Sequence, residues 1–318
     1  MMKSYFSLFL LFLLPYFCQA QIDTTYIKPF ENKLSLRTYF SMKLISMEQE
    51  VDGKVKNFMP NTPMSLGFGV SINNTIINLS YGYGLNFMKD KDKGRTKAFD
   101  FQIHNYGRKF IIDLFVQKYR GFYTADQNDK NIELYPDLNI QQYGAFGQYV
   151  FNNKKFSYKA AFNQNERQLK SAGSFLLGGG VYFTKIGSDS SFVHKDKNSL
   201  RNFQFGVSGG YAYTWAINKR WFASGSITVG ANLSTERIND FGKKKIEIYP
   251  TFFPRTAIGY NKERWSLGLS YVNNLIFSSF SDNNNNNSSN ISLSSGNFQI
   301  AYIWRLDSNP FWGKKKSN

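Results

Sequence analysis

Cysteine is almost absent: the chain has one in 318 residues, at Cys18. A disulfide framework, a thiolate metal site and cysteine catalysis are excluded on that ground alone. Histidine is nearly as scarce, with only His104 and His194. No His/Cys/carboxylate spacing suggests a metal, and none implies a cofactor. After the N-terminus no long apolar run occurs, and mean hydropathy is -0.40, so membrane-spanning helices are excluded. Acidic residues are outnumbered, 22 against 39 Lys and Arg, a formal charge of +17. Nucleic acid is the first partner such a balance brings to mind. Here, however, the basic residues fall in loop runs such as Lys89 to Arg95 and Gly242 to Lys245, with no stripe interleaved with stacking aromatics. The reading is therefore no nucleic acid. Basic loops on an exported protein suit anionic headgroups and lipopolysaccharide phosphates, and equally suit simple solvation.

What the chain has in excess is aromatics, 18% of residues, with 31 Phe and 20 Tyr. They follow a pattern shown most clearly from Pro63 to Phe87. Met64, Leu66, Phe68, Val70 and Ile72 alternate with Ser65, Gly67, Gly69 and Ser71. After Asn73-Asn74-Thr75, the residues Ile77, Leu79, Tyr81, Tyr83, Leu85 and Phe87 alternate with Asn78, Ser80, Gly82, Gly84 and Asn86. Period two marks strands, and the Asn-rich turn makes the pair a hairpin. A soluble sandwich would carry Lys, Glu and Thr on its second face. Here that face is Gly, Ser and Asn, and each run has about the 9–11 residues a tilted strand needs to cross hydrocarbon. Strands can do so only in a closed sheet, because an open edge would leave backbone groups unpaired in lipid. The expected fold is an all-β, closed antiparallel transmembrane barrel of about twelve strands, within roughly ten to fourteen.

Met1 to Ala20 reads as a cleavable signal peptide, with Lys3, an apolar run from Tyr5 to Leu14, and a cut after Cys18-Gln19-Ala20. Tyr16 and Phe17 are too bulky for Cys18 to be a lipoprotein cysteine. Cleavage removes Lys3 and leaves +16. Residues 21–33 form an N-terminal periplasmic segment, 34–306 the barrel and 307–318 a basic tail ending in Lys314-Lys315-Lys316. Polar loops are expected at Ser46–Thr62, Lys89–Lys97, Tyr119–Asn139, Gly187–Arg201, Ser234–Lys245 and Phe277–Gly296, the last holding the Asn-rich run at 282–290. Short turns fall at 73–75, 107–109, 217–220 and 261–263. Long and short connections alternate as in outer-membrane barrels, whose termini lie inside. Ala160 to Gly173 lacks alternation and is rich in helix formers, which predicts a short helix near 160–172 on the periplasmic side or in the lumen. Pro250 and Pro254 predict an irregular start to their strand.

Parity assigns the sites. Arg37, Asp100, Gln102, His104, Asp113 and Arg255 are the lumen candidates. Trp215, Trp221, Tyr260, Trp265 and Trp304 flank the short turns and the last strand, where an interfacial aromatic girdle belongs. No catalytic residue is assigned: a lipid hydrolase would place its His beside a Ser on the outer wall, and His104 lies inward with Asp100 and Gln102. Gly178-Gly179-Gly180 has no Lys-Ser/Thr after it, so it is no phosphate loop and reads as room for a bend or a close approach.

The early hairpin, the segment Phe156-Ser157-Tyr158-Lys159-Ala160-Ala161-Phe162-Asn163-Gln164, and Lys170-Ser171-Ala172-Gly173-Ser174-Phe175-Leu176-Leu177-Gly178-Gly179 resemble the uncharacterised Bacteroides-type outer-membrane family designated domain of unknown function 4421. The resemblance implies a barrel and an outer-membrane location, and it supplies no activity and no catalytic residues. The expected role is porin-like passage of small solutes or lipid-related molecules. The alternatives are an outer-membrane lipid-modifying hydrolase using His104, and a surface binding barrel acting through external loops such as Tyr119–Asn139. Whether the bore is open or filled is left open by strand number alone.

Overall fold

A computed structural model describes residues 22–31, 34–51, 54–62, 64–72, 75–79, 90–126, 131–189, 199–235, 246–281 and 288–306. The signal peptide, the Asn73-Asn74 turn, the far half of the opening hairpin, the Gly242–Lys245 run, most of the Asn-rich run and the basic tail lie outside them.

Twelve strands make the wall, in the order β2 (Leu34–Val51), β4 (Ser65–Ile72), β5 (Thr75–Leu79), β6 (Lys97–Tyr106), β7 (Phe110–Ala125) and β8 (Ile132–Val150), then β10 (Ala172–Gly187), β11 (Ser199–Ala216), β12 (Trp221–Thr235), β13 (Glu247–Asn261), β14 (Trp265–Ser281) and β15 (Ser288–Leu306). Each is antiparallel to the next, and β15 pairs back onto β2 from Leu306↔Leu34 to Asn290↔Glu50, which closes the sheet. The β5–β6 seam is described by one pair, Thr75↔Asn105, and closure pairs backbone groups that an open edge would leave facing lipid. The outer face carries Phe40, Phe68, Phe101, Leu114, Val207 and Ile227, all exposed. A closed sheet with an apolar exterior belongs in a bilayer: this is a transmembrane barrel.

Three expected loops are strand. β2 runs on to Val51 and returns through β3 (Lys54–Phe58), β7 and β8 pair up to Ala125↔Ile132, and β14 and β15 pair up to Ser281↔Ser288. Inward they bury Met47, Phe58, Phe122, Leu138 and Ile291, but their outward faces stand clear of the apolar band and turn largely polar, so the alternation that marks the lower strands is lost. Gly121 (φ +92) marks the change on β7, where the register to β8 shifts; a Cβ there would meet the Arg95 carbonyl at 2.3 Å.

The helix also differs. Only one turn forms, α1 (Tyr158–Phe162), capped by Ser157, whose hydroxyl accepts from the Ala160 amide at 3.0 Å. Then Gln164 takes φ +52, and β9 (Glu166–Gln168) pairs with β1 (Ile27–Pro29) of the N-terminal segment. The helix formers from Glu166 onward are overruled by this pairing, a tertiary effect that propensity does not contain. Pro250 and Pro254 leave the β12 ladder unbroken, while the β14 ladder begins only at Thr251, after Pro250, and skips Phe253 and Pro254, so the irregular start lies on that side. Around Gly178 and Gly179 it is the neighbouring strands that come close, since a Cβ would meet the carbonyls of Gly147 at 1.9 Å and Gly206 at 2.1 Å.

Candidate functional site

The inward face is where the residues with chemistry meet. Small and polar side chains line it, and so do Phe115, Phe146, Tyr182 and Phe253, which are buried. The inner surface is therefore more than a polar lining. Phe115 lies over Gly144, where a Cβ would be 2.2 Å from the ring, so glycine on the wall makes room for an aromatic filling. Phe146 of β8 meets Phe253 of β13 edge-on at 5.0 Å.

In the same layer a charge pair crosses the bore. Arg255 of β13 donates to Asp113 of β7 at 2.6 Å, and both are 3% exposed. Four strands separate β7 from β13 one way round the wall and six the other way. The bond thus spans close to a diameter. Its other contacts make it a network: His104 Nδ1 lies 2.6 Å from the second Asp113 oxygen, His104 Nε2 lies 3.2 Å from the Gln102 amide oxygen, and Arg255 donates to the Tyr106 hydroxyl at 3.4 Å. An arginine buried this deep is held only where carboxylate and hydroxyl satisfy its donors. Further from the turns, Asp100 accepts from Lys43 at 2.9 Å, Tyr119 at 2.8 Å and Gln117 at 3.2 Å, and Gln117 reaches across to Ser295 at 3.0 Å.

Both mouths are filled. On the turn side α1 packs Tyr158 and Phe162 against Tyr106, while Arg37 donates to the Phe162 carbonyl at 3.4 Å and Arg305 to the Gln164 carbonyl at 2.6 Å. Arg108 and the Ser157 hydroxyl both donate to buried Glu166. Gln164 lies over the paired Gly259 and Gly268, where a Cβ would come within 2.5 and 2.3 Å of its amide. At the far mouth Met47, Phe58, Phe122, Leu138, Ile186 and Ile291 close together.

All six lumen candidates thus point inward. The structure joins Gln102, His104, Asp113 and Arg255 into one network, places Asp100 in a second, and puts Arg37 on the plug. Arg305, Arg108, Glu166 and Gln164 were not singled out. Arg305 was readable: it follows the outward run Phe298, Ile300, Tyr302, Trp304 and so has inward parity. Of the girdle set, Trp221, Tyr260 and Trp265 form a row with Tyr302, at 5.0, 5.5 and 6.0 Å between rings. Trp304 is paired in register with Trp265, and Trp215 leans on Tyr213 at 4.8 Å. Among the described residues the two ring nitrogens of His104 face Asp113 and Gln102, and no hydroxyl bonds to either. Among the described residues no cluster of His, Cys, Asp and Glu could hold a metal.

The family described as Domain of unknown function (DUF4421) matches residues 21–306. The chain belongs to that family. No curated protein matches the sequence. Among solved structures, the chain is similar to the outer membrane protease OmpT from Escherichia coli (8% identity, 87% of this chain and 97% of that one, TM-score 0.35), to OmpT of Vibrio cholerae (7%, 88% and 100%, TM-score 0.29), and to the P. putida toluene transporter TodX (6%, 88% and 91%, TM-score 0.26). Overlaps this loose assign neither an activity nor a ligand to this DUF4421 protein.

Proposed function

We propose that the protein is an outer-membrane barrel sealed along its axis at rest, serving as a binding scaffold through the hairpins that rise from the membrane, and not as an open diffusion pore. The observation that carries this is the Arg255–Asp113 bond across the bore, with aromatic packing beside it and a filled mouth at either end. A hydrated channel has no use for a diametral brace that costs two desolvated charges.

The hairpins supply the binding surface. β7 continues nine residues past Val116 and β8 begins eleven before Tyr143, where the continuous outward apolar run of each strand ends; beyond it Leu134 is exposed. At about 3.3 Å per residue this carries the strands some 30 Å beyond the apolar band along their own axis. Met59 pairs with Tyr123, and Asn61 donates to the carbonyls of Asp90 and Gly94 at 2.7 Å, so neighbouring hairpins are tied into one raised wall.

Planar-bilayer recording of the purified protein tests the seal. No steady conductance is expected from the wild type; a stable open level would overturn the proposal and restore solute passage.

A further inference from the structure

We infer that the outer wall carries a binding site for the phosphorylated headgroup of a membrane lipid, on β7, β8, β10 and β11 at the edge of the apolar band away from the turns. It rests on the outer-membrane reading above and adds a partner to it.

Two consecutive register rows define the site. Val116, Tyr143, Phe183 and Phe203 lie side by side across the four strands, and the next outward row is Lys118, Gln141, Lys185 and Arg201. The switch from apolar to cationic thus falls at one height on β7, β10 and β11, with Gln141 at the same height on β8. Lys118 lies 5.8 Å from the centre of the Tyr143 ring, and Tyr143 is 6.1 Å from Phe183. Cations over a shelf of rings suit a phosphosugar whose acyl chains continue down the apolar wall.

The pairing itself argues for an anion. Lys185 stands directly opposite Arg201, and one step away Lys97 stands directly opposite Arg120. Like charges in that position repel and destabilise a sheet unless something neutralises them. Within the described residues Lys97, Lys118, Lys185 and Arg201 have no carboxylate partner, and Arg120 reaches only the exposed Asp189 at 3.7 Å. The far end of β2, elsewhere on the wall, instead turns Glu48 and Glu50 outward. The basic charge is therefore local, and a diffuse surface excess would not be.

The test uses the full chain in detergent with diphosphoryl lipid A as probe. Binding is compared with the enzymatically dephosphorylated lipid, with inorganic phosphate as competitor, and with Lys118→Gln/Lys185→Gln/Arg201→Gln against Glu48→Gln. The triple variant should bind about a hundredfold more weakly and Glu48→Gln should match the wild type. Heat-modifiable migration on gels reports folding; if the triple variant fails it, Lys118→Gln and Arg201→Gln are read singly, each losing about fivefold. Unchanged affinity in the variants, equal binding of the dephosphorylated lipid, or one-for-one displacement by inorganic phosphate would each overturn the site. A barrel that enters bilayers yet ignores the phosphate refutes this site alone; one that cannot enter refutes the membrane reading beneath it.

Discussion

The two mouths of the barrel are packed by different means. On the turn side the stopper is a separate piece of chain, α1 and the β1–β9 pair, docked into the wall through arginines that donate to its carbonyls. At the far side there is no inserted segment among the described residues, and the wall's own side chains meet from β2, β3, β7, β8, β10, β11 and β15. A docked piece can leave while the wall stays intact. Packed wall residues cannot part without parting strands. The difference teaches that stability and sealing are separable in this molecule, and that only the turn-side mouth could be opened at modest cost.

The strongest way to break that contrast is at the far mouth. Phe58 is 1% exposed and meets Tyr135 edge-on at 5.0 Å. Phe58→Ala should destabilise the barrel by about 3–5 kcal/mol, read from urea unfolding in micelles, without producing channel openings. On the turn side Arg305 donates to Gln164 at 2.6 Å, Ser266 at 2.6 Å and Lys262 at 3.0 Å, and its guanidinium lies 3.4 Å from the Phe30 ring centre. Arg305→Met should cost less, about 1.5–3 kcal/mol, and should add brief openings in planar bilayers that the wild type lacks. If Phe58→Ala opens the barrel and Arg305→Met leaves it silent, the two mouths have been assigned the wrong way round.

How far the sequence reached follows the same division. Inside the bilayer the solvent on one face is hydrocarbon, so alternation is enforced residue by residue, and the twelve strands and their parity are legible from runs such as Leu36 and Phe40 on β2, Phe101 on β6, Leu114 on β7 and Trp304 on β15. Above the bilayer the outward face meets water while Met47 and Leu138 pack inward, so the outward apolar signature ends and Met47 to Val51 and Ile132 to Asn139 read as loops. The plug was illegible for another reason: Glu166 to Gln168 are strand only because Ile27 to Pro29 lie alongside. In the site, parity placed Asp113, His104 and Arg255 in the bore but could not say that Asp113 and Arg255, 142 residues apart, would touch. A hint of the filled lumen was present. Phe115 and Phe146 share the inward parity with Asp113, Gln117, Gln142 and Gln148, and a water-filled bore has no place for such rings.

The smallest effect belongs at the exposed tip of the far mouth, and it tests whether the raised hairpins add to the seal. Glu133 accepts from the Tyr135 hydroxyl at 2.6 Å and from Lys56 at 3.1 Å, which hold its carboxyl below the ordinary value of 4.5. A depressed acid supports the folded form above its ordinary value and loses that support as pH falls through the depressed one. Both partners of the ion pair are more than half exposed, so the support is screened and confined to the hairpin. On acidification below the usual carboxylate range, the protection factors of amides in the paired strands Phe122–Ala125 and Ile132–Tyr135, taken against the intrinsic exchange rate at each pH, should fall, while the global unfolding midpoint stays where it is. Lys56→Gln and Glu133→Gln should blunt that acid response without altering the conductance record. A shift of the whole unfolding transition in either variant would mean that the tip braces the far mouth, and that its closure reaches beyond the apolar cluster beneath.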